Sequence, residues 1–254
     1  MILFYRITSF LVALASAFGF AAFLLHGMHP VLAVLISLTL VALLFSRLLQ
    51  FKIRSFSFWF FLGTALVFLL SSFAVLFLFE SFTAGVIVAC IAIGLLTLFC
   101  EFVFLYVHLP GVYQPFSLEY LTWLLNLLSV FFLTVSGFAV HLLIQFPLYF
   151  LLIPFFPISY FLIYGMLWVS KAESITSRRY AFFGALIFSE LFIAISFLPT
   201  GFYTNAAFLA IFAYVFFGLA RAQVIHKLSV NITRRYIITA CLLLLFIGVS
   251  SQWL

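Results

Sequence analysis

The chain has 254 residues, of which 68% are hydrophobic and only 6% charged, with a mean hydropathy of +1.41. A water-soluble domain carries about 25% charged residues, so a soluble globular fold is excluded. The net charge of +6 sets eleven Lys and Arg residues against five glutamates, with no aspartate anywhere.

Nine apolar runs can be cut, over residues 7–25, 31–49, 56–79, 84–107, 118–140, 146–169, 180–198, 204–220 and 236–253. A helix of about 20 apolar residues crosses a hydrocarbon core of about 30 Å. Backbone groups in lipid must be bonded within their own segment. The expected fold is therefore all-α: a polytopic integral membrane protein, a bundle of about nine transmembrane helices, forming a single domain over residues 1–254. The connections are too short for a soluble domain.

Met1 to Arg6, followed by an apolar stretch and Ala15-Ser16-Ala17, imitates a cleavable leader. The apolar run continues to Leu25, so it reads as a retained first span. Ala13, Ala15, Ala17, Gly19, Ala21 and Ala22 allow close helix approach there. At its far end, His26 and His29 are three residues apart, and His141 falls on the same side. No further ligand accompanies them, so no metal or haem site is assigned. Gly85, Ala89 and Ala92 give span four a second small-residue face. The same span carries Glu101 close to its inner end; the expectation is an ion pair between helices, with Arg47 and Arg221 as candidate partners.

Pro115 closes a turn rich in Pro and Gly, and Glu119 follows in the first turn of span five, where a carboxylate favours the positive helix end. Asn126 shares its face, with Ser129 and Ser136 beside it, as groups that bond between helices. Pro147, Pro154 and Pro157 predict a kinked or broken outer half for span six. Span seven opens on Arg178-Arg179-Tyr180 and carries Glu190 near its midpoint, where a carboxylate is costly and marks a functional candidate. Spans seven and nine share a signature, Ile175-Thr176-Ser177-Arg178-Arg179-Tyr180 against Ile232-Thr233-Arg234-Arg235-Tyr236. Thr204 or Asn205 is placed to cap span eight, and Ala206, Ala210 and Ala213 form its small-residue face. Residues 221–235 alternate basic and apolar side chains, a pattern that suits a short helix on the lipid surface.

In a nine-span chain every cation falls on one side: Arg6; Arg47, Lys52 and Arg54; Lys171, Arg178 and Arg179; Arg221, Lys227, Arg234 and Arg235. The positive-inside rule makes that side cytoplasmic, with the N-terminus inside and the C-terminus outside. The basic charge thus reads as orientation in a cell membrane, not as nucleic-acid binding.

The missing aspartates remove aspartyl-protease dyads and Asp-based metal clusters, and HExxH, GxSxG, Walker A and CxxCH motifs do not occur. Cys90, Cys100 and Cys241 lie in apolar runs and read as small buried hydrophobes. No cofactor is indicated. Three functional classes fit. The foremost is a non-catalytic membrane subunit or scaffold, whose partners are lipids, other membrane proteins or a second copy. The second is a proton-coupled carrier with Glu190 in a mid-membrane polar site near Asn126 and Tyr214. The third is a lipid-modifying enzyme using Glu101 and Glu190 as acid and base.

Overall fold

The computed structural model describes residues 2–25, 29–114, 116–170 and 174–251. Nine helices and no strand lie among them: α1 (Ile2–Leu24), α2 (Pro30–Leu48), α3 (Phe56–Leu76), α4 (Phe82–His108), α5 (Ser117–Ile144), α6 (Leu148–Val169), α7 (Ser174–Ser196), α8 (Phe202–Val224) and α9 (Val230–Ser250). Each is long and apolar enough to span a bilayer. The protein is an all-α, multi-pass membrane protein.

Contacts divide the chain into two compact units, Met1–Leu125 and Asn126–Leu254, the boundary falling within α5. In the first unit α1 packs against α2 and α4, and α3 against both α2 and α4. The small residues of α1 permit this: a Cβ built on Gly19 would overlap Ser37 of α2 and press on Phe73 of α3. Phe20 stacks on Phe73 at 4.3 Å between centroids. Gly85 of α4 likewise faces Leu24.

In the second unit α6 packs on α7 and α8, α7 on α8, and α8 on α9. Phe192 of α7 is its hub. Its ring stacks on Phe138 of α5 (4.4 Å, 9°) and leans on Phe155 of α6 (5.0 Å), and Gly137 leaves the room for it. Gly184 of α7 similarly receives Phe216 of α8, so phenyl rings set in glycine notches make this contact, beyond the alanine face of α8. By contrast α9 buries only Ala240.

Hydroxyls inside the helices are mostly turned onto their own backbone. Ser16 donates to the Val12 carbonyl, Ser72 to Phe68, Thr134 to Val130 and Ser136 to Phe132, each 2.8–2.9 Å away. Such bonds satisfy the group but do not specify a neighbouring helix.

Several sequence expectations are corrected. Helix α6 is continuous: Pro147 is its N-cap, and Pro154 and Pro157 lie inside without breaking it. No separate surface helix covers 221–235. Helix α8 runs to Val224, the chain reverses at His226 (φ 56°), and Ser229 caps α9 by accepting from the Ile232 N–H. The N-cap of α8 is Gly201; Asn205 is buried inside the helix, where it accepts from the Thr200 hydroxyl. Cys90 and Cys241 are exposed on their helices, and only Cys100 is buried.

Candidate functional site

The sequence offers four polar residues for an intramembrane site, Glu101, Asn126, Glu190 and Tyr214. Glu101 falls in the first unit and the other three in the second.

Glu101 is held by α1. The Ser9 hydroxyl donates to its Oε2 at 2.9 Å, and the Arg6 Nε lies 3.6 Å from Oε1. Arg6 and Ser9 are three residues apart, which puts both on one face of α1. An inter-helix ion pair forms with Arg6, while Arg47, the partner expected on α2, has an exposed side chain. Because the Arg6 side chain is 64% exposed, the charge pair is screened. The bond from buried Ser9 fixes the carboxylate more firmly. With both oxygens engaged, Glu101 is a clamp between α1 and α4. In the sequence Arg6 counts as an orientation charge; its i, i+3 relation to Ser9 is the available clue to this contact.

Asn126 is fully buried on α5 and donates from Nδ2 to the Leu162 carbonyl of α6 at 3.0 Å, while its Oδ1 has no partner. The two helices follow one another across a short turn and run antiparallel. Three residues on along α5 and three back along α6 therefore bring Ser129 level with Ser159. Both hydroxyls are buried and unpartnered. Asn126 Oδ1, Ser129 and Ser159 are thus three buried oxygens of the second unit with hydrogen-bonding capacity to spare among the described residues. Ser159 was missed because its partner positions emerge only from the register of the hairpin.

Glu190 is exposed on the outer face of α7, in a stripe with Phe183, Leu186, Ile187 and Ala194, and makes no hydrogen bond or ion pair among the described residues. It lies eleven residues beyond Arg179, about 16 Å along the helix axis at 1.5 Å per residue. A position deep in the span is consistent with that rise, but the side chain faces outward and is not enclosed by the protein. The Tyr214 ring of α8 packs on Tyr236 of α9 at 5.2 Å.

His26, Lys171, Glu173, Pro115 and Trp253 lie outside the described residues. Of the remaining histidines singled out, His29 is exposed at the start of α2, and His141 Nδ1 bonds the Phe146 carbonyl at 2.9 Å. No cluster of three or more metal-ligating side chains occurs among the described residues. No known protein family, curated protein or solved structure matches the chain.

Proposed function

We propose that the protein is a non-catalytic subunit of a membrane assembly, oriented with its N-terminus in the cytoplasm, and that the outer face of α7 is where a neighbouring membrane helix docks. The observation that carries this reading is Glu190, a lone carboxylate with no partner among the described residues, on an otherwise apolar exposed face. Left in hydrocarbon, such a group costs about 2.5–3.5 kcal/mol on insertion scales. A partner helix bearing a donor at the same depth removes that cost and fixes the register of the contact. The orientation is supported by the placement of every cation at the same end of alternating spans.

The test places a photo-crosslinking residue at Ala194, one turn from Glu190 on the same face, in the protein's native membrane. Discrete protein adducts that vanish in Glu190→Leu support the reading. Adducts to lipid alone, unchanged by that substitution, overturn it.

A carrier is the second reading, favoured by the spare oxygens of Asn126, Ser129 and Ser159. It requires proton-driven uptake into proteoliposomes that Glu190→Gln abolishes. The enzyme reading loses ground because Glu101 is already engaged by Arg6 and Ser9.

A further inference from the structure

The basic pair that opens α7 is not used by any contact above. Arg178 and Arg179 are both exposed and have no hydrogen bond or ion pair among the described residues. They stand at a groove of about 490 Å³ between α6 and α7, walled by Phe156 and Tyr160 on one side and Phe182 and Phe183 on the other. Phe156 and Phe182 meet edge to face at 5.8 Å, which closes the apolar floor. The Tyr160 ring stacks on Tyr164, and its hydroxyl makes no hydrogen bond among the described residues. Along α7 the groove therefore changes within one turn from two guanidinium groups to two exposed phenyl rings.

We propose that this groove binds an anionic phospholipid, its phosphate on Arg178 and Arg179 and one acyl chain laid along Phe156, Phe182 and Phe183. Guanidinium forks match the oxygens of a phosphate in two-point fashion. The apolar wall gives no advantage to a water-soluble anion but suits a hydrocarbon chain anchored to the headgroup. The preference for a net negative headgroup follows from charge. Two cations without a balancing carboxylate among the described residues repel the ammonium of a zwitterionic lipid. The Tyr160 hydroxyl is a further donor for the ester region.

The experiment is native mass spectrometry of the purified full chain in detergent, titrated with palmitoyl-oleoyl phosphatidylglycerol and, separately, with the phosphatidylcholine of the same chains. The expected result is a retained phosphatidylglycerol adduct whose preference over phosphatidylcholine falls about tenfold or more in Arg178→Ala/Arg179→Ala. The preference should persist in Lys52→Ala/Arg54→Ala, which removes equal charge from another exposed turn. Phe183→Ala keeps both arginines and should weaken retention of both lipids, so the groove remains testable should the double variant fail to fold. Equal affinity for the two lipids overturns the proposal. So does an equal loss in the Lys52/Arg54 variant, or displacement of the lipid by inorganic phosphate at the same concentration.

Discussion

The ring of Tyr236 in α9 lies directly over Gly218 in α8, so that a Cβ at position 218 would fall inside it. This is the main seam joining α9, which otherwise buries only Ala240. Gly218→Ala should therefore loosen α9, costing about 1–3 kcal/mol as overpacking. A cysteine placed at Ala240 should become reactive to a membrane-permeant thiol reagent in that background. If it stays protected at wild-type rates, the seam is not what holds the helix.

The clamp on Glu101 divides unequally between its two partners. Ser9→Ala should lower stability by about 1.5–3 kcal/mol, the worth of one hydrogen bond to a charged group. Arg6→Ala, at an exposed position, should cost less than about 1 kcal/mol. Thermal unfolding in detergent ranks the two, and a larger loss from the arginine would reverse the assignment.

Asn126 and its serine neighbours should respond in opposite directions. Asn126→Ala removes the bond to Leu162 and should destabilise by about 0.6–1.7 kcal/mol. Ser129→Ala and Ser159→Ala delete hydroxyls that have no partner among the described residues, so each should be neutral or slightly stabilising. A clear loss from both serine variants, measured by denaturant unfolding in mixed micelles, would mean that water or a ligand is bound between them.

For Glu190 the isolated chain and the assembled chain should part company. Glu190→Leu removes an unsatisfied carboxyl from lipid, so the chain alone should insert more readily, by about 3–4 kcal/mol. Complex formation in native membranes should fall in the same variant. Insertion efficiency in a microsomal assay and migration on native gels read the two effects separately.

The nine spans were legible because hydrocarbon demands a long apolar run and the chain supplies nine. Their ends were not. Helix α7 begins at Ser174 and α9 at Val230, each six residues before the corresponding apolar run, because the turn carrying the arginines is helical too. This places Arg178 and Arg234 at the same point of their helices, four residues from the start, which accounts for the shared motif without requiring a common role. Tyr236 packs on α8, while Tyr180 borders an apolar groove between α7 and α8. Which way a side chain faces was hidden for a different reason. In water an amphipathic stripe marks the buried face; in lipid both faces are apolar, so nothing around Glu190 announced that it points outward. The proline-rich α6 shows a third limit. Two missing amide donors weaken a helix locally, yet packing on α7 and α8 keeps it whole.

Hydroxyls turned onto their own carbonyls leave the second unit's helices to recognise one another mainly as solids, by the fit of a phenyl knob such as Phe192 into a notch such as Gly137. Recognition of that kind ignores acidity and salt, so the arrangement should be the same across compartments that differ in both. It also has its own rule of repair. A notch filled by Gly137→Ala is mended by whittling the knob, Phe192→Leu, and by no added polar group.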